Sequence, residues 1–167
     1  MWTEVEQYFA DSPAQKKVAL FLLRRGFRAG HRGVTCGEIK IPHTQIAREM
    51  DVDRRAVDAT VNRIQKNEKL SRIYNSLRSI AFLRDTAPAL GLGVVVITPD
   101  DASRPGIISA VTGKISEHNI SIRQAIADDP KFTDNPQLTI ITDREITGEV
   151  LAELKKINGI KKITLYK

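Results

Sequence analysis

Gly91-Leu92-Gly93-Val94-Val95-Val96-Ile97-Thr98-Pro99-Asp100-Asp101-Ala102-Ser103-Arg104-Pro105-Gly106-Ile107-Ile108 is the stretch on which the fold turns. The run Val94 to Ile97 is uniformly apolar and β-branched, which predicts a buried strand. Pro99 to Pro105 is polar and bounded by proline, which predicts a loop. Gly106 then opens a helix whose apolar face carries Ile107, Ile108, Val111 and Ile115. Working outward toward the C-terminus, Asn119 ends that helix, and Ile120, Ile122, Ala125 and Ile126 mark a second strand. The polar stretch Asp128 to Pro136 is a loop, and Leu138 to Ile141 a third strand. Thr147 is placed to cap a helix bearing Val150, Leu151 and Leu154, which Asn158-Gly159 stops in the left-handed region. Ile160, Ile163 and Leu165 make the last strand. The order β-α-β-β-α-β fits one four-stranded antiparallel sheet with two helices on one face.

Upstream the texture differs. Trp2, Val5, Tyr8 and Phe9 share one side of a short helix that ends before Pro13. Ser12 and Pro13 start a second, strongly apolar helix with Val18, Leu20, Phe21, Leu22 and Leu23. Val34 to Ile41 alternates weakly around Gly37, and Ile39-Lys40-Ile41 reads as a short strand stopped by Pro42. Two helical patterns follow: Thr44 to Met50, with Ile46, Ala47 and Met50 on one face, and Arg54 to about Lys66, capped by Asp53. At about 100° per residue, Val57, Val61 and Ile64 cluster on one side of the second. Arg55, Ala59, Asn62, Arg63 and Lys66 fall opposite. This is a helix-turn-helix pattern. Its outer face offers charge for phosphates, an amide able to read a base edge, and a small residue that permits close approach. Arg54 joins that basic set. Leu70 to Tyr74 reads as a strand that would complete the small sheet of a winged variant with Ile39–Ile41, making Arg72 and Arg78 candidate backbone contacts.

Charge distinguishes the two halves. Residues 1–90 hold 16 Lys/Arg against 10 Asp/Glu, whereas residues 91–167 hold 10 of each, so the whole net charge of +6 belongs to the first half. A basic half joined to a neutral one suits a chain that meets a polyanion with one part. With 41% hydrophobic and 28% charged residues the chain is long enough for two small globular domains, and the composition argues against disorder. No run approaches the roughly 18 apolar residues of a membrane helix, the N-terminus lacks the pattern of a secretory leader, and the single cysteine, Cys36, excludes an internal disulfide framework. These features predict a cytoplasmic protein without a membrane partner.

The loop beginning at Asp101 has binding chemistry of its own. Gly106 allows close backbone approach, and the amides that open the next helix attract a carboxylate or phosphate. Arg104 adds positive charge, and Asp101 is available to an ammonium group. Together, Asp101-Ala102-Ser103-Arg104-Pro105-Gly106-Ile107-Ile108 and His118-Asn119-Ile120-Ser121-Ile122 resemble the signature of ACT domains, across residues 91–167. Asn119 stands where glycine is common, and Ser121 where an asparagine often holds a ligand's amino group. The resemblance implies a ferredoxin-like fold, paired side by side into a dimer or higher oligomer. It also implies a small-molecule site at Asp101, Ser103, Arg104, Pro105, Gly106, Ile107, Asn119 and Ser121 for an amino acid or anionic metabolite.

The whole chain resembles a group of archaeal predicted regulators of amino-acid metabolism that contain an ACT domain. The resemblance extends to Asp53-Arg54-Arg55-Ala56-Val57-Asp58-Ala59-Thr60-Val61, Ala87-Pro88-Ala89-Leu90-Gly91, Ile122-Arg123-Gln124 and Asp129-Pro130. The expectation is an α+β chain: a winged helix-turn-helix over 1–88 that binds double-stranded DNA, then a ferredoxin-like βαββαβ sensor over 89–167. Neither cofactor nor metal is expected. His31, His43 and His118 have no spacing with Cys36 or a carboxylate that suggests a metal site or a nucleophilic triad, and Gly91-Leu92-Gly93 precedes a strand where a dinucleotide loop would follow one. No catalytic residue is assigned. Two rivals to the transcriptional reading are a regulatory subunit whose basic half docks on a metabolic enzyme and a ligand-independent dimerisation scaffold; an enzyme comes third.

Overall fold

The computed structural model describes residues 2–166, and of Trp2 the side chain lies outside the description. The chain forms two compact units, residues 1–81 and 82–167. The first contains α1 (Trp2–Gln7), α2 (Pro13–Arg25), β1 (Arg28–Gly30), β2 (Gly33–Cys36), β3 (Ile39–Ile41), α3 (His43–Met50), α4 (Arg54–Lys66) and α5 (Glu68–Asn75). Its core joins Val5 and Phe9 to Val18, Ala19 and Leu22 of α2, Ile46 and Ala47 of α3, and Val57, Val61 and Ile64 of α4. Ser12 sits at the N-cap of α2 without a side-chain cap bond, and Gly26 ends that helix at φ 65°.

The turn between α3 and α4 is tight because Asp51 takes the left-handed conformation at φ 48°. An aspartate tolerates that region better than most residues. Two residues on, Asp53 Oδ1 accepts from the Arg55 amide at 2.7 Å and starts α4. The small sheet is antiparallel in the order β1-β2-β3. It lies wholly ahead of the helix-turn-helix in sequence, because Leu70–Tyr74, expected as a strand, is the body of α5. Asn67 caps that helix, its side chain accepting from the Leu70 amide at 3.0 Å. Leu70 and Tyr74, at i and i+4, are both fully buried, and Tyr74 Oη donates to the Ala19 carbonyl at 3.0 Å. With Ile73 at i+3, the apolar residues of this segment keep the helical period.

The second unit contains a 3₁₀ turn at Pro88–Leu90, then β4 (Gly93–Pro99), α6 (Ile107–Glu117), β5 (Ile122–Ala127), β6 (Leu138–Thr142), α7 (Gly148–Leu154) and β7 (Ile160–Tyr166). The sheet is antiparallel with order β5-β6-β4-β7, a ferredoxin-like arrangement. Val95, Ile97, Ile140 and Leu138 face α6 and α7 and pack with Val111, Ile115, Val150 and Leu154. The opposite face carries Val94, Val96 and Ile141, covered by Ala87, Leu83 and Leu92. Residues 82–88, which the sequence reading gave to the first domain, therefore pack with the second. The Leu83 amide donates to Gln124 Oε1 at 3.1 Å, and Arg84 lies over the rings of Phe82 and Tyr166. Thr147 holds the N-cap of α7 without a side-chain bond, and Asn119 adopts φ 54° after α6, as its left-handed tolerance allows.

Candidate functional site

Burial of Val57, Thr60, Val61 and Ile64 orients α4. Arg55, Asn62 and Lys66 are exposed on its outer side with the half-buried Ala59 between them. A shallow groove of about 470 Å³ runs along this side, lined by Gln15, Ala59, Asn62, Arg63, Lys66 and Asn67.

Three of the candidate basic residues are engaged within the chain. Arg63 grips Asp11 through both guanidinium nitrogens at 2.5 and 3.0 Å, donates to the Tyr8 carbonyl at 2.8 Å, and lies over the Phe9 ring. The Asp11 carboxyl is held below its usual range by that bond. Arg54 pairs with Asp58 at 3.3 Å, and Arg72 pairs with Glu68 one turn back on α5. Arg55 and Lys66 have no such partner among the described contacts, and they carry the accessible charge of the face.

In the second unit, Pro99, Ala102, Arg104, Pro105, Gly106, Ile107 and Ile108 form one wall of a pocket of about 170 Å³. Ala127 and Asp128 at the end of β5, with Gln137 and Leu138 at the start of β6, form the other. Most of the lining is apolar. Gly106 has φ 94°, and a Cβ built there meets nothing within 4 Å, so its backbone conformation, and not crowding, calls for glycine. With glycine at the N-cap, α6 begins without a side-chain cap. Asp101 is occupied locally: its Oδ1 accepts from the Ser103 hydroxyl at 2.6 Å and the Ser103 amide at 2.9 Å, and these bonds, the hydroxyl first, hold its carboxyl below the usual range. Arg104 reaches toward Asn158 Oδ1 at 3.5 Å and lies against Gly159.

The structure thus gathers Arg104, Pro105, Gly106 and Ile107 at one pocket, beside Asp101 and Ser103, but places Asn119 and Ser121 elsewhere. In the sheet register Ala127 stands opposite Leu138 while Ile122 stands opposite Thr142, so the Asn119–Ser121 turn is at the other end of the sheet. There the Ser121 amide donates to Asp143 Oδ1 at 3.1 Å, and the Asn119 carbonyl accepts from Arg144 at 2.8 Å.

No family model matches the chain, and no curated protein does. A solved structure to which it is similar is the crystal structure of the Mycobacterium tuberculosis leucine response regulatory protein, LrpA. The two are 16% identical, with 89% of this chain and 90% of that chain covered, at a TM-score of 0.27.

Sequence reading missed Ile108, Ala127, Asp128 and Gln137, all of which line the pocket. Ile108 offered the one signal available, an apolar residue on the rim of the helix's apolar arc, and it is 51% exposed. The other three come from strand ends that only the sheet register brings to the loop. His43 was likewise set aside, yet its Nδ1 lies 2.6 Å from Asp58 Oδ1, and this contact is the main cause of the depressed Asp58 carboxyl. Among the described residues no group of three His, Cys, Asp or Glu side chains is placed to hold a metal ion, and no helix is long and apolar enough to cross a membrane.

Proposed function

We propose that the chain is a ligand-responsive transcriptional regulator of amino-acid metabolism, acting in the cytoplasm as a homodimer or higher oligomer. Its helix-turn-helix half binds double-stranded DNA, and its βαββαβ half is an ACT-type sensor for an amino acid or similar anionic metabolite. The observation that carries this reading is the outer side of α4, where Arg55, Asn62 and Lys66 stand exposed around Ala59 on a helix fixed by a buried opposite side. A long polar guanidinium and ammonium suit phosphates, a carboxamide suits an adenine edge, and alanine between them lets the helix enter a major groove.

The second unit supports the sensing role through the pocket at the start of α6. An uncapped helix start beside Arg104 favours a carboxylate, and the apolar walls favour a ligand with a hydrocarbon portion. Strands β5 and β7 are the outer members of the sheet. Unpaired edges of this kind are stabilised by pairing with a second copy, which would present two recognition helices to paired half-sites. An effector changes DNA affinity only by as much as it prefers one arrangement over the other.

The deciding experiment is a salt titration of binding to random-sequence duplex DNA. A linear fall of log affinity with log salt supports the reading. Absence of binding at low salt removes it and leaves the scaffold or enzyme-subunit reading.

A further inference from the structure

The first unit holds a second groove beside α4, of about 530 Å³, that the recognition-helix reading does not use. It is lined by His31 and Arg32 from the β1–β2 turn, Gly33 at the start of β2, Lys40 of β3, Pro42, His43 and Thr44 at the start of α3, and Arg54 at the start of α4. Three elements thus bring Arg32, Lys40 and Arg54 to one concavity whose lining contains no carboxylate. We propose that this groove seats a phosphate of the DNA backbone next to the stretch read by α4, with Lys40 and Arg32 as the contacting cations. The inference rests on the DNA-binding reading and adds a contact surface to it.

Position supports the proposal first. Gln65 Nε2 on α4 donates to the Gly30 carbonyl at 2.5 Å, and His43 Nδ1 contacts Asp58, also on α4, at 2.6 Å. The β1–β2 turn and the start of α3 are therefore fastened along one flank of α4. On the helical wheel Asp58 and Gln65 lie next to the arc of Asn62 and Arg55, so DNA seated on that arc has its adjoining backbone beside this flank.

The start of α3 supports it second. The N-cap of α3 is Pro42, which supplies no side-chain cap, so the first amides of α3 open at the groove wall.

The competing charges are weakly placed. Glu38 holds Arg32 at 2.7 Å, but both side chains are well exposed, so the pair yields readily to a phosphate. Asp58, shared by His43 and Arg54, is not part of the lining.

The test measures affinity against salt for the full chain and a random-sequence duplex. Variants are Lys40→Ala, Arg32→Ala, Glu38→Ala and, as reference for α4, Arg55→Ala with Lys66→Ala. Lys40 and Arg32 are exposed, and an unchanged melting temperature checks that their loss leaves the fold intact. The expected result is a slope shallower by about 0.9 for each of Lys40→Ala and Arg32→Ala, with tighter binding in Glu38→Ala because the rival carboxylate for Arg32 is gone. A slope unchanged in the groove variants but reduced in the α4 reference overturns the groove and leaves the recognition helix standing. A parent chain that binds no DNA overturns both.

Discussion

Arg63 and Asp11 form a two-pronged ion pair across 52 positions of sequence, with nitrogen–oxygen distances of 2.5 and 3.0 Å. The pair ties the last turn of α4 to the connection between α1 and α2, where the guanidinium also covers Phe9 and donates to the Tyr8 carbonyl. A residue that looks on the helical wheel like a phosphate contact is thus committed to the fold. Arg63→Ala is expected to lower the melting temperature while leaving the salt slope of DNA binding unchanged. A slope reduced as in Arg55→Ala, with no change in melting, would show that Arg63 leaves Asp11 to meet DNA.

Arg55 and Lys66 are the accessible cations of the same face. Replacing either by alanine is expected to reduce the salt slope by about 0.9 and to weaken binding to all sequences alike. Asn62→Ala should behave differently. Its carboxamide carries no charge, so the slope stays, and discrimination at one base pair falls by about 1–3 kcal/mol. Competition binding across a randomised duplex library separates the two outcomes.

What was readable in sequence follows from the range of the interactions. The βαββαβ order and the span of α4 rest on local signals: apolar runs, Asp53 as a cap, and Asn119 and Gly159 as stops. Arg55, Asn62 and Lys66 share a face by helical geometry alone. Leu70–Tyr74 reads as a strand only by its apolar content, since Leu70, Ile73 and Tyr74 stand at i, i+3 and i+4, a helical and not an alternating spacing; the Asn67 cap and the Ala19 carbonyl beneath Tyr74 decide for the helix. The Arg63–Asp11 pair and the meeting of Ala127, Gln137 and Arg104 depend on tertiary contacts for which no local signal exists. Asn119 and Ser121 were joined to the loop through a resemblance, while in one chain they stand at the far end of the sheet.

Tyr74 makes the first unit sensitive to alkali. Burial raises its phenol above the ordinary value of 10.0. In the unfolded chain the phenol ionises near pH 10, whereas the folded chain retains the proton, so the unfolded state is favoured increasingly as pH rises above that value. Stability is complete below pH 10 and falls above it. Tyr74→Phe loses the bond to the Ala19 carbonyl, which costs about 0.5–1.5 kcal/mol at neutral pH, since that carbonyl keeps its place in the helical ladder of α2. It should also flatten the alkaline fall, as denaturant unfolding at pH 8 and pH 11 would show; an equal fall in both proteins would assign the effect to other groups.

The pocket at the start of α6 predicts the chemistry of the effector. Its walls are hydrocarbon from Pro99, Ala102, Pro105, Ile107, Ile108 and Leu138, its cationic member is Arg104, and its anionic member is Asp128, which accepts from the Gln137 amide at 3.1 Å. A ligand that satisfies the walls and Arg104 is a carboxylate carrying an apolar side chain, and a ligand held at 100 times its dissociation constant stabilises by about 2.7 kcal/mol. A melting screen of amino acids and phosphorylated metabolites should therefore show a rise for apolar carboxylates. Arg104→Ala should weaken carboxylates more than their neutral amides. Ala127→Leu gives a second handle: Ala127 is an exposed residue at the end of an edge strand, and a larger side chain there fills the roughly 170 Å³ without entering the core. It should abolish the rise for every ligand while leaving the unliganded melt unchanged. Gly106 is unsuitable for this purpose, because any side chain strains its φ of 94° whether or not a ligand binds. If no carboxylate shifts the melt, or if the Ala127→Leu chain responds like the parent, the pocket is not the effector site.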